Sequence, residues 1–146
     1  MRSELVNTPN DMLLSISVDE ENHWIVATWQ GDPTPEAIRN GMEAYLETLV
    51  EAHYDAVLID TRSMDGVRSF ATYWALEEWV PKAVEAGLHY YAVVVNPETF
   101  AEAAADDFYA NISSFEAEVF ADLATARAWL RRCRLQQKQA DGYLTT

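Results

Sequence analysis

The sequence predicts a single α/β domain built on a mainly parallel sheet, and three features carry that prediction. Two strand-like segments joined by a short polar stretch open the chain. Two short, continuous apolar runs follow, Ala56-Val57-Leu58-Ile59 and Val93-Val94-Val95. Segments with the three-and-four spacing of amphipathic helices lie between and after them. Apolar runs alternating with helices are the pattern of strands buried on both faces and joined by right-handed crossovers.

Residues 1–10 are polar, contain Pro9 and read as a flexible leader. Leu14, Ile16 and Val18 alternate with Ser15 and Ser17, the signature of a half-buried strand over Met12 to Val18. Asp19-Glu20-Glu21-Asn22 is a polar turn, and His23 to Gln30 is a second strand rich in Trp, Ile and Val. So short a connection makes the two an antiparallel hairpin.

Thr34-Pro35-Glu36 opens a helix: Thr34 is a cap, and Pro35 suits a first turn whose N–H groups lack partners in any case. Ile38, Met42, Tyr45, Leu46 and Leu49 then form one apolar stripe. The strand Ala56 to Ile59 ends at Asp60, and a loop from Thr61 to Arg68 leads into an aromatic-rich helix over about 69–86. Pro81 within that helix predicts a kink or a restart, because proline donates no hydrogen bond and crowds the preceding turn. Gly87 closes it.

Tyr90 to Val95 is the next buried strand, and Asn96-Pro97-Glu98 repeats the cap-then-proline signature before a helix over about 97–109. Phe115, Ala117 and Val119 alternate with Glu116 and Glu118, an outer strand with one wet face. Asp122 caps a last helix in which Leu123, Ala126, Trp129, Leu130 and Cys133 share a face. The order is β-β-α-β-α-β-α-β-α, a five-stranded sheet with its first strand antiparallel at an edge. The domain spans residues 11–135, and 136–146 read as a polar C-terminal tail.

The 146 residues fit one domain of ordinary apolar content, 49%. No stretch has the length and apolarity of a signal peptide core or a membrane span, so a cytoplasmic address is expected. The formal net charge of −14 argues against nucleic acid and anionic membrane surfaces as partners. Lys82 and Lys138 are the only lysines. Surplus acid with scarce lysine suits a high-salt setting, where self-repulsion is screened, and equally an ordinary acidic protein. Cys133 is the single cysteine, so an internal disulfide and a two-cysteine metal clip are both excluded.

The opening hairpin, the helix before Ala56-Val57-Leu58-Ile59-Asp60 and the closing junction Val119-Phe120-Ala121-Asp122-Leu123 resemble the SpoIIAA-like superfamily, which includes STAS domains and the related CRAL-TRIO lipid-binding fold. The continuation Ala126-Arg127-Ala128-Trp129-Leu130 is similar to the way small bacterial SpoIIAA-like proteins end. The segment from Trp79-Val80-Pro81-Lys82-Ala83 through Ala86-Gly87-Leu88 resembles a branch of them without assigned activity. The resemblance covers roughly residues 12–132 and implies the fold more than a function. STAS switches carry an Asp-Ser-Ser-Gly type motif after the central strand; here that region reads Asp65-Gly66-Val67-Arg68-Ser69-Phe70. Ser69 is therefore a positional candidate for phosphorylation, beside Arg68 at a helix start.

In open parallel sheets ligands gather beyond the carboxyl ends of the strands. That rule selects Asp60, Thr61, Arg62, Ser63, Asp65, Ser69 and Asn96 as the candidate site. Asp60 can orient an arginine or accept from a ligand hydroxyl, and Arg62 or Arg68 can hold an anion. The plainer alternative has Asp60 tying down its own loop and Ser69 capping a helix. Phe70, Tyr73, Trp74 and Trp79 are dense for one helix; they form core or a dimer face, or line an apolar pocket of the CRAL-TRIO kind. Tyr90, Tyr91 and Trp24 add to either.

His23, His53 and His89 fit no zinc or triad spacing, and no phosphate-binding or nucleophile-elbow motif occurs. No cofactor is implied. Arg127, Arg131, Arg132, Arg134 and Lys138 concentrate positive charge in the last helix, which stabilises a helix end or docks an acidic partner. The expected function is a non-enzymatic STAS-like module that binds a protein partner or a second copy of itself. The alternative is a carrier or sensor of a small apolar or lipid-like ligand, and an enzyme ranks third.

Overall fold

The computed structural model describes residues 2–7, 12–31, 34–64, 75–96 and 114–144. Its sheet has six strands: β1 (Arg2–Asn7), β2 (Met12–Asp19), β3 (Trp24–Gly31), β4 (Ala56–Met64), β5 (Tyr90–Val94) and β6 (Glu116–Phe120). They lie side by side in chain order. The first two pairings are antiparallel and the three from β3 to β6 are parallel. Helix α1 (Pro35–Ala52), a π-helical turn (Ala75–Trp79), helix α2 (Val80–Ala86) and helix α3 (Leu123–Leu144) complete the described elements.

All five expected strands are present, and the structure adds a sixth. Residues 2–7, expected in a loose leader, form β1, which runs from Arg2 opposite Val18 to Asn7 opposite Met12. The opening hexapeptide Arg-Ser-Glu-Leu-Val-Asn has no continuous apolar face to announce a strand. An edge strand can be held by backbone pairing alone, and its composition then stays polar.

Two further boundaries move outward. Thr61 to Met64, expected in a loop, continues β4 and pairs with the end of β3, Gln30 opposite Ser63 and Gly31 opposite Met64. From the pair Thr28–Asp60 to the pair Gln30–Ser63, β4 uses one residue more than β3, which marks a bulge. Helix α3 runs on to Leu144, through what reads as a polar tail. Gln136-Gln137-Lys138-Gln139 is polar yet made of good helix formers, so polarity there does not mark the end of the helix.

The expected helix ends are confirmed where they are described. Thr34 Oγ1 accepts from the Ala37 N–H at 3.1 Å, and Pro35 lies in the first turn of α1. The helix closes on His53 in the left-handed region (φ 60°). The restart expected at Pro81 is the change from π turn to α2, with the proline in the first turn of the new helix. Gly87 terminates α2 at φ 98°. The expected helix over 97–109 and the first turns of the one over 69–86 lie outside the described residues.

Two cores sandwich the sheet. On one face Leu14, Ile16, Ile25, Ala27, Trp29, Val57 and Ile59 meet Ile38, Met42, Tyr45 and Leu49 of α1, with Val80 and Ala83 of α2. On the other, Trp24, Leu58, Ala92 and Val94 meet Ala126 and Leu130 of α3. The split follows from strand alternation: Val57 and Ile59 face α1, Ala56 and Leu58 face α3. The Trp79 indole N–H donates to the Met42 carbonyl at 2.8 Å and fastens the π turn to α1.

Candidate functional site

The carboxyl ends of β4 and β5 and the start of α3 come together at one end of the sheet. Arg62 turns back on Asp60: Nε donates to Oδ1 at 2.9 Å, Nη2 to Oδ2 at 2.8 Å, and the Arg62 backbone N–H to Oδ1 at 3.1 Å. This fork-to-fork arrangement fixes the plane of the guanidinium. The Asp60 side chain is 14% exposed and that of Arg62 43%, so the carboxylate is recessed and the cation presented. Burial by itself would raise the Asp60 carboxyl, but the bonds from Arg62 outweigh it and hold the group below its ordinary value.

Beside Asp60, Thr61 is buried and its hydroxyl donates to the Val94 carbonyl at 2.8 Å, pinning β4 to the end of β5. Ser63 is exposed and Asn96 half-buried just beyond β5. Asp122 accepts from the Thr125 N–H at 2.8 Å and from its hydroxyl at 2.8 Å. Those bonds hold the Asp122 carboxyl low, helped by the charge of Arg62. Arg62 thus lies in the field of two carboxylates, one from its own strand and one from the opening of α3.

Of the residues selected by sequence, Asp60 and Arg62 are bonded to each other, through both the side chain and the backbone N–H of Arg62. Asp65, Ser69, Phe70, Tyr73 and Trp74 lie outside the described residues, as does Arg68. Asp122 is the member that sequence reasoning assigned only to capping. Its place directly after β6, on the carboxyl side of a parallel strand, is the signal that puts it in the same neighbourhood. Trp79 and Tyr91 are core: their rings meet at 5.5 Å in a T-shaped contact, and Phe115 closes on Trp79 at 6.2 Å.

The opposite end of the sheet carries a second polar surface. A groove of about 510 Å³ lies between the β2–β3 turn and α3, lined by Asp19, Glu20, Glu21, Asn22, Arg127 and Arg131. Arg134 Nη1 donates to the Asn22 carbonyl at 3.2 Å, Arg131 Nε to the Asn22 side chain at 3.4 Å, and Arg131 stands over the Trp24 ring at 5.9 Å. Arg127, Arg131 and Arg134 of the last helix therefore meet the acidic turn of their own chain. Among the described residues no group of His, Cys, Asp and Glu is arranged to hold a metal ion, and no helix is long and apolar enough to cross a membrane.

A mainly parallel sheet opened by an antiparallel hairpin, with helices between its parallel strands, is the architecture expected from the sequence. Residues 24–131 match the SpoIIAA-like family model, and the chain belongs to that family. An uncharacterised protein from Shewanella loihica with a SpoIIAA-like fold superposes with a TM-score of 0.51 at 20% identity, over 80% of this chain and 91% of that one. An anti-sigma factor antagonist from Mycobacterium paratuberculosis gives a TM-score of 0.53 at 14% identity, over 86% of this chain and 99% of that one. At such identities the likeness is one of fold. No curated protein matches the sequence.

Proposed function

We propose that this protein is a regulatory, STAS-like module that acts by binding a protein partner through the carboxyl ends of its parallel strands. The observation that carries this reading is the presented guanidinium of Arg62, braced by Asp60 and lying in the field of the exposed Asp122. A charged group already held in one orientation loses little freedom on binding, which favours its use as a contact point. The structural neighbour described as an anti-sigma factor antagonist supports a regulatory module of this kind. Ser69 follows Arg62 by seven residues in the sequence, and its phosphorylation would add a dianion there.

The test is affinity capture with the purified chain, identification of the retained protein, and titration of that protein against wild type and Arg62→Glu. Binding weakened at least tenfold by Arg62→Glu and left intact by Arg134→Gln, at the other end of the sheet, is the expected result. Equal affinity for all three rejects this surface. Native mass spectrometry provides the second arm: a small apolar molecule that departs on denaturation would replace the partner reading with the carrier reading, in which Phe70, Tyr73 and Trp74 line the pocket.

A further inference from the structure

The groove between the β2–β3 turn and α3 has walls of opposite charge that do not close on each other. Glu20 and Glu21 stand exposed on the turn, while Arg127 and Arg131 line the other side, one helical turn apart on α3. Asp19 is already committed: its Oδ1 accepts from the Asn22 backbone N–H at 3.1 Å and its Oδ2 from the Asn22 amide at 2.9 Å. Burial raises the Asp19 carboxyl, but the Asn22 bonds, helped by the charge of Arg127, hold it below its ordinary value. Arg131 is committed too, bonded to the Asn22 side chain and seated over the Trp24 ring. Arg127, by contrast, is half-buried, with its Nε covered and without an acceptor. Among the described residues no ion pair joins it to the turn. A half-buried guanidinium ordinarily finds an acceptor, because an unmet charged donor is costly.

We propose that this groove binds a small zwitterion, a carboxylate and an ammonium on one short frame, with the carboxylate on Arg127 and the ammonium on Glu20 and Glu21. Charge decides the class of ligand. A simple anion would gain Arg127 but face the carboxylates of the turn, and a simple cation would gain the turn but face two guanidinium groups. A ligand carrying both signs satisfies both walls. Because Nε of Arg127 is covered, its terminal Nη groups make the contact, and they suit a carboxylate. The volume of about 510 Å³ falls within the range of small-molecule sites. Since the two walls stand beyond ion-pair reach of each other, the ligand has to span them, and the spacing between its charges sets the fit. The groove lies at the other end of the sheet from Arg62, so this site and the partner surface stand or fall separately.

The experiment titrates the full chain with probes that differ in the spacing of their charges, glycine, β-alanine, γ-aminobutyrate and ε-aminohexanoate, and follows backbone amide shifts by NMR. Butyrate and butylamine, each with one charge, are the comparison. One spacing should bind best, with saturable shifts confined to the amides of 19–24 and 127–131. Butyrate and butylamine should bind about tenfold more weakly, the weight of one lost charge-assisted contact. The best probe should weaken by about the same factor with Arg127→Gln, and with Glu20→Gln and Glu21→Gln combined. The turn variant changes only exposed side chains, so it decides the matter if Arg127→Gln fails to fold. Absence of any saturable shift up to about 50 mM, well above the roughly millimolar affinity expected of so few atoms, overturns the site. So does butyrate or butylamine matching the best zwitterion, or wild-type binding by the variants. Shifts spread evenly over the acidic surface also overturn it, since they report general charge screening instead of a site.

Discussion

The indole N–H of Trp29 donates to the phenolic oxygen of Tyr45, both side chains fully buried, and this one bond joins β3 to α1 across the larger core. Removing the hydroxyl with Tyr45→Phe should cost about 1–2 kcal/mol, the usual penalty for taking away a buried partner. Burial, with the nearby Tyr91, pushes the Tyr45 phenol well above its ordinary value. Its stabilising neutrality is thus complete below about pH 10 and is lost as pH rises beyond that point. An alkaline ultraviolet titration should therefore show the Tyr45 phenolate only together with unfolding. A phenolate signal that precedes the loss of circular dichroism would contradict this.

Gly41 lies beneath the same indole. A Cβ there would stand 2.5 Å from the Trp29 ring and 2.7 Å from a methyl of Leu14. Gly41→Ala gains about 1 kcal/mol of helix propensity but overpacks a fully buried contact, a cost of about 1–3 kcal/mol or more at such distances. The expected outcome is a thermal midpoint several degrees below wild type. Asn40→Ala, on the exposed side of the same helix, should leave the midpoint unchanged or raised.

At the strand-end site, Arg62→Ala should raise the apparent pKa of Asp60, because burial remains after the opposing bonds are gone. In wild type the lowered Asp60 group contributes stability above about pH 4 that is lost as pH falls through its depressed value. Carbon-detected NMR titration of the side-chain carboxyl checks both statements. An unchanged midpoint in Arg62→Ala would mean that the pair does not persist in solution.

Cys133 is buried in the last helix, and burial together with Glu116 pushes its thiol up to about 11. Since the thiolate is the reacting species, a disulfide reagent should label the native protein very slowly at neutral pH and the urea-unfolded protein promptly. Equal rates in the two states would show that the helix face carrying Cys133 opens readily.

Sequence reasoning succeeded wherever apolar spacing and local caps agree. The run Ala56 to Ile59, the stripe from Ile38 to Leu49, and the caps at Thr34 and Asp122 all combine a pattern with a chemical reason for its limits. It fell short where long-range pairing decides the outcome. Arg2–Asn7 is a strand because β2 lies alongside it, and Thr61–Met64 is a strand because β3 continues past a bulge; neither partner is visible locally. At the candidate site, Asp60 and Arg62 could be named from the strand-end rule, but their mutual bond depends on a turn of backbone that composition does not encode. Asp122 was legible as a cap and not as a neighbour of Arg62, since some 60 residues of chain and two strands separate them in sequence.

Because the strands sit in the sheet in the order in which they occur along the chain, each new strand is added at the growing edge and none has to be threaded between two already placed. A ribosome releasing this protein from its N-terminus would deliver every strand to a partner that has already emerged. The antiparallel β1–β2–β3 meander closes over short distances before any crossover is needed, which is the inexpensive end of loop-closure entropy. Helix α3 follows β6 in the chain and covers Leu58, Ala92 and Val94 on one face of β4 and β5. Truncation before residue 123 should leave a chain that pairs its strands yet aggregates through the exposed Leu58, Ala92 and Val94.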